Sequence, residues 1–174
     1  MSVDEGLFRT AMSRLATGVT VVTARRDDRY ELMTANAVVS VSLHPTLLLV
    51  SVARASRWLA AVRTCGEFAV NILAREHEGL ARWCADRARH DDPDGVHAYD
   101  VTVSSTGLLW LPGALAVAEC HLYDEHDAGD HVLVIGEVDR VQVPARAAEP
   151  LLFFDRDFTA GPPPGTRLRR VAVS

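Results

Sequence analysis

MTANAVVSVSLHPTLLLVSVARASRW, residues 33–58, decides how this chain is read. Thr34, Asn36, Ser40 and Ser42 alternate with apolar residues, the period of a strand with one packed face and one polar face. On that period Ser40 and Ser42 share the polar face. Pro45 cannot donate to a ladder, so it divides a strand over 38–42 from a buried one over 47–53. Arg54, Ser56 and Arg57 then gather two cations and a hydroxyl before a helical stretch over 56–63, which Ser56 is placed to cap. Free N–H groups at a helix start favour an anion. The pattern predicts a polar-lined groove ending in a phosphate-sized anion site, suited to a cofactor with a hydrogen-bonding head and a phosphate tail.

Outward from this stretch, strands outnumber helices. Leu7, Phe8, Met12 and Leu15 recur at helical spacing over residues 4–16, a pattern that buries one face. The β-branched run 18–24 predicts a strand, the charged turn RRDDR follows, and residues 30–36 return as a hairpin partner. Further strands are expected over 67–73 and 150–154, and a helix over 76–88. Two long β-rich runs, 114–126 and 131–143, are joined by the hairpin signal DAGD. The polar segment 90–97 reads as a flexible loop. Many short strands with few helices predict a small antiparallel barrel. No strand–GxGxxG–helix unit is present, so the chain is not read as a Rossmann fold.

At 174 residues and 48% hydrophobic, the chain has the length for one core-bearing domain over 1–160, followed by a proline-rich tail over 161–174. Its net charge of −5 and its scattered arginines, with no lysine and no basic stripe, argue against a nucleic-acid partner. Cys65, Cys84 and Cys120 are widely spaced and fit neither a disulfide framework nor a zinc site, so they read as reduced, buried thiols. His121 and His126 flank Asp124, but no further ligands are evident and no metal is expected. The acidic, amphipathic start is not a signal peptide, and apolar runs such as LLLV (47–50) are far too short to span a bilayer. The expectation is a cytoplasmic protein with no membrane partner.

Five segments in order, FRTAMSRLATGVTVVTA, MTANAVVSVSLHP, GEFAVNIL, GDHVLVIGEV and PLLFFDRDF, resemble the short-chain flavin reductases. Those are the reductase components of two-component flavin-dependent monooxygenases. The resemblance spans residues 8–158. It implies a mainly β fold, a closed antiparallel Greek-key split barrel with a few short peripheral helices, which homodimerises. It also implies an NAD(P)H:flavin oxidoreductase that passes hydride from NADH or NADPH to FMN or FAD and supplies reduced flavin to a separate oxygenase. By resemblance, Met33, Thr34, Ala35 and Asn36 meet the flavin ring, and Ser40 and Ser42 face the ribityl chain. Ser51, Val52, Ala53, Arg54, Ser56 and Arg57 hold the phosphate, and Asn71 lies beside the dimethylbenzene edge. His131 lies near the nicotinamide as the catalytic-site residue, while Phe154, Asp155 and Arg156 form a dinucleotide-contacting loop.

The chemistry is consistent with that set, because the cofactors carry the reaction and the protein supplies orientation. The chain departs from the family at Leu32–Met33, where the methionine either sits over the flavin or fills the core. It departs also at His44, either a ligand-site group or a rim-turn residue, and at Trp58, which either covers an adenine or packs. Packing, the rim turn and packing are the preferred readings. Two other functions stay open. One is a split-barrel protein that holds flavin as a prosthetic group without efficient NAD(P)H-dependent turnover. The other is a relative that binds a different ligand such as heme, which the hydroxyl-rich groove disfavours.

Overall fold

The computed structural model describes residues 3–86, 99–145 and 148–161. Helix α1 (Glu5–Ser13) is followed by β1 (Thr17–Gly18), β2 (Thr20–Arg26), β3 (Arg29–Ala35), β4 (Val38–Leu43) and β5 (Thr46–Ala53). Helix α2 (Arg57–Cys65), β6 (Glu67–Ile72), a 3-10 turn (Arg75–His77) and α3 (Glu78–Ala85) come next. The remainder is β7 (Thr102–Val103), β8 (Leu109–Trp110), the long hairpin β9 (Ala116–Ala128) and β10 (His131–Gln142), then β11 (Leu151–Phe154) and β12 (Asp157–Ala160). The expected loop over 90–97 and all but the first residue of the expected tail lie outside the described residues. No helix among the described residues is long and apolar enough to cross a membrane.

Seven strands form one antiparallel sheet in the order β3-β2-β6-β9-β10-β5-β4. The two edge strands, β3 and β4, are consecutive in the chain and joined only through Asn36 and Ala37. The sheet must therefore curl to bring its edges together. Val22 of β2, Ala35 of β3, Val50 of β5, Phe68 of β6, Cys120 of β9 and Val134 of β10 accordingly share one buried cluster. The mainly β, antiparallel architecture forms as expected, and the sheet curls without a β3–β4 ladder to complete the circle. The physical reason is local: the link carries the chain from one edge to the other without the reversal that a hairpin ladder needs.

Inside the curl, Trp58 and Phe68 meet edge-to-face at 5.3 Å, and both are essentially buried. Each contributes about 1.5–3 kcal/mol of apolar burial. The close approach explains Gly136, where a Cβ would fall 2.4 Å from the Phe68 ring. Cys120 lies in the same cluster, and burial pushes its thiol up to about 12, with smaller contributions from Asp139 and Glu119. A thiol so protonated is inert. Gly66 ends α2 in the left-handed region at φ 76°, which glycine adopts without strain.

The second cluster lies on the other side of the sheet, where α3 and the 104–111 segment cover Val21, Ala69 and Val117. A separate three-stranded sheet, β1-β11-β12, stands beside it. Helix α1 forms where expected, with the Asp4 carboxylate accepting from the Leu7 N–H at 2.7 Å. Its apolar face is not buried, contrary to the sequence expectation: Leu7, Phe8, Met12 and Leu15 are 47–66% exposed. The helix is tethered instead through polar contacts from its C-terminal half to the β11–β12 turn.

Candidate functional site

A cleft of about 440 Å³ opens where β5 passes into α2. Its walls are β3 (Leu32, Met33, Thr34), the β5–α2 junction (Ala53, Ala55, Ser56, Arg57, Trp58) and the end of α3 (Cys84, Ala85) with Asp86. The size falls within the range of roughly 300–1,000 Å³ usual for cofactor sites. Three separate pieces of chain are fixed here by side-chain contacts. The Thr34 hydroxyl donates to the Ala81 carbonyl at 2.6 Å, tying β3 to α3. The Ser56 hydroxyl lies 3.5 Å from the Met33 sulfur, tying α2 to β3. Trp58 roots the α2 end in the core.

The two helix ends give the cleft a polarity. Ser56 sits at the N-cap position of α2, as expected, but its side chain makes no capping bond, and the first turn carries no acidic residue. With no side-chain cap and no acidic residue there, the start of α2 keeps its positive dipole end for an anion. The C-terminal end of α3, with its terminal carbonyls, and Asp86 also line the cleft. Between them lie the small or apolar side chains Ala53, Ala55, Leu32 and Met33. The indole N–H of Trp58 is buried without an acceptor. A ring system flanked by polar edges, with an acidic tail at α2, matches this donor set.

Neither expected cation is bare. The Arg54 guanidinium pairs with the Asp127 carboxylate and donates to the Gly129 carbonyl at 2.8 Å, while its backbone N–H donates to the Asp130 carbonyl. The Arg57 Nε lies 3.3 Å from the Glu31 carboxylate, which Arg26 also approaches at 3.9 Å. Arg54 thus clasps the β9–β10 turn. That turn presents His131, which stands in register opposite Ala53, with its Nδ1 2.8 Å from the Asp130 carboxylate. The hydrogen bond from His131, reinforced by its charge, holds the Asp130 carboxyl below the usual carboxylate range.

Met33, Thr34, Ala53, Ser56 and Arg57 are brought together in the cleft as the sequence predicts, and Arg54 and His131 adjoin it. Others stand elsewhere. Ala35 is buried, with its carbonyl accepting from Thr20, and Asn36 is exposed beyond the strand. Val52 belongs to the core, and half-buried Ser51 stands opposite Leu133 on the alternate face. Ser40 and Ser42 do not share a face. A bulge leaves Val41 unpaired, so Ser40 sits opposite Leu48 and Ser42 opposite Leu47, neighbours that point to opposite sides. Ser42 instead accepts from the backbone N–H of His44, an exposed rim-turn residue.

Asn71 has no surface left for a ligand. It is wholly buried, its amide donating to the Val21 and Leu109 carbonyls and accepting from the Leu111 N–H. Phe154, Asp155 and Arg156 occupy the β11–β12 turn against α1, where the Asp155 N–H donates to the Ser13 carbonyl at 2.8 Å. Among the described residues no three acidic, histidine or cysteine side chains converge on a metal position. His121 pairs with Asp139 at 2.8 Å and His126 with Asp124 at 3.3 Å.

Leu32, Ala55, Cys84, Ala85 and Asp86 were not foreseen as lining residues, and Trp58, for which packing was preferred over covering an adenine, lines the cleft as well as rooting in the core. The contribution of α3 has a signal in hindsight. Ala81, Cys84 and Ala85 are small residues spaced three and four apart, which lets a helix approach a strand closely.

Comparison with known proteins is unambiguous about kinship. The flavin reductase like domain family matches residues 12–162. An actinorhodin polyketide dimerase from Streptomyces coelicolor is 37% identical over 161 residues, covering 92% of this chain and 88% of that protein. The reductase subunit of a flavin-dependent monooxygenase from Mycobacterium tuberculosis is 32% identical over 165 residues, 94% and 86% of the two chains. Among solved structures, an NADH:FAD oxidoreductase from Streptomyces globisporus, in complex with NAD and FAD fragments, superposes with a TM-score of 0.85. It is 30% identical and covers 95% of this chain and 99% of that one.

Proposed function

Because the chain belongs to the flavin reductase like domain family, we propose that its cleft binds a flavin with the phosphate at the start of α2 and the ring along β3 and the β5–α2 junction. The protein is an oxidoreductase that uses NAD(P)H to reduce FMN or FAD. When bound, a flavin would supply the redox chemistry, as the acceptor of hydride from a nicotinamide. Thr34 and the β3 backbone orient the ring edge, Met33 and Leu32 exclude water, and the α2 N–H groups with Ser56, Arg57 and Arg54 take the phosphate. His131, carried to the cleft rim by the hairpin that Arg54 clasps, positions the nicotinamide. No side chain is required as a nucleophile.

The observation that carries this reading is the cleft at the uncapped start of α2, lined on three sides by elements that the Thr34 and Ser56 contacts fix together. The wider reading is a split-barrel unit over residues 1–160, which works in the cytoplasm as a homodimer and delivers reduced flavin to a separate oxygenase. The curled sheet supports the barrel. The exposed apolar residues of α1, with Val39, Val41 and Leu43 of β4, support a second copy as their cover. A light-scattering mass of twice the chain tests that assembly, and a monomer contradicts it.

The activity is tested by NADH and NADPH oxidation with FMN and with FAD. Flavin-dependent turnover with free flavin in excess is expected, and its absence in all four pairings contradicts the function. The similarity to a polyketide dimerase favours one second reading, a protein that retains flavin for another redox step. Flavin kept through purification, with slow NADH oxidation, would select it.

A further inference from the structure

Resting on the phosphate placement proposed above, we infer that Glu31 and Asp127 are specificity-determining residues that compete with the flavin phosphate for Arg57 and Arg54. They keep the site weakly selective for phosphorylated flavin and quick to release it. Both cations near the anion end of the cleft already hold a carboxylate. Arg57 lies 3.3 Å from Glu31, and Arg54 is clasped by Asp127 and the Gly129 carbonyl. A phosphate arriving at α2 exchanges one anionic partner for another and does not meet an unsatisfied charge.

The two competitors differ in how firmly they are held. The Glu31 side chain is 13% exposed, stands opposite Ala24 in the β2–β3 ladder and is approached by Arg26 as well. It is a fixed anion beside a half-exposed guanidinium. The Asp127 side chain is 72% exposed near the hairpin end, where solvent screens the pair. Glu31 is therefore the stronger competitor. A phosphate outbids a carboxylate in charge, about −1.5 to −2 against −1, so binding still occurs, but with its electrostatic gain reduced. A reductase that must hand over its flavin benefits from such a site.

The test is a fluorescence-quenching titration with FMN and with riboflavin, on wild-type protein, Glu31→Gln, Asp127→Asn and Arg57→Ala. Glu31→Gln is expected to tighten FMN about three- to tenfold with riboflavin unchanged, and Asp127→Asn to tighten it about twofold, sizes typical of a partly screened ion pair. Unchanged or weaker FMN binding in both variants overturns the competition. Riboflavin affinity is the internal control for folding; if Glu31→Gln loses it, the exposed Asp127→Asn decides. Arg57→Ala separates the two layers of inference. Selective loss of FMN upholds the phosphate placement whatever the carboxylate variants do, and equal loss of both flavins overturns that placement.

Discussion

Asn71 and Glu119, on the α3 side of the sheet, and Arg54 and Arg57, at the rim of the cleft, are all polar groups held by hydrogen bonds or ion pairs. They differ in what can reach them. Asn71 bonds three backbone groups from two segments and is wholly buried. Glu119, 3% exposed, accepts from the Trp110 indole at 2.7 Å and the Thr106 hydroxyl at 2.9 Å, with Arg140 3.6 Å from its other oxygen. These contacts join the 104–111 segment to the sheet, and any exchange would leave buried groups unsatisfied. The rim arginines are 43–47% exposed, and of their carboxylate partners Asp127 stands in solvent while Glu31, 13% exposed, keeps Arg26 as a second partner, so either arginine can exchange its anion. Permanence fits the first region to a structural part, and exchangeability fits the second to the proposed ligand site.

Breaking the buried side should give the largest effect. Asn71→Ala removes the acceptor of the Leu111 N–H and two donors, and is expected to lower stability by about 2–4 kcal/mol in urea unfolding. The ratio of FMN to riboflavin affinity should not move; a shifted ratio would return Asn71 to the site. At the rim, His131→Ala is expected to reduce kcat/KM for NADH about tenfold, or about 1.4 kcal/mol, with flavin affinity within about twofold. An unchanged rate removes His131 from the nicotinamide site.

The smallest effect belongs to the exposed His121–Asp139 pair. The hydrogen bond to Asp139 raises the His121 pKa above its ordinary value. Its contribution is fully present below the ordinary imidazole pKa of about 6.5 and is lost as pH rises through the raised folded value. His121→Gln should therefore cost less than about 1 kcal/mol at low pH, and nothing above that window. A deficit that persists at alkaline pH would assign His121 a packing role.

What the sequence could disclose follows the same division. The β2–β3 and β9–β10 hairpins were legible because RRDDR and DAGD punctuate runs of strand-forming residues, and both ladders form as expected. The cluster of Arg54, Ser56 and Arg57 was legible because cations and a hydroxyl at a strand-to-helix junction have a local chemical meaning, whereas Met33 and Ala53 came only with the family resemblance. The bulge at Val41 was not, since the alternation looks unbroken and only the pairing with β5 shows the slip. Asn71 misled because a buried clip and a ligand contact are the same residue type on the same strand. The α3 wall was not read, because the small-residue spacing of Ala81, Cys84 and Ala85 does not say which strand the helix meets; the tertiary contact from Thr34 to Ala81 does. Strands β7, β8 and β12, two to four residues long, carry too little pattern to read.

The central claim is that the uncapped start of α2 holds the flavin phosphate. Titrating Arg57→Ala with FMN and riboflavin side by side tests it most directly. FMN should weaken about tenfold or more, as expected for a lost charge-assisted bond, while riboflavin stays within about twofold. Equal weakening of the two flavins would contradict the claim.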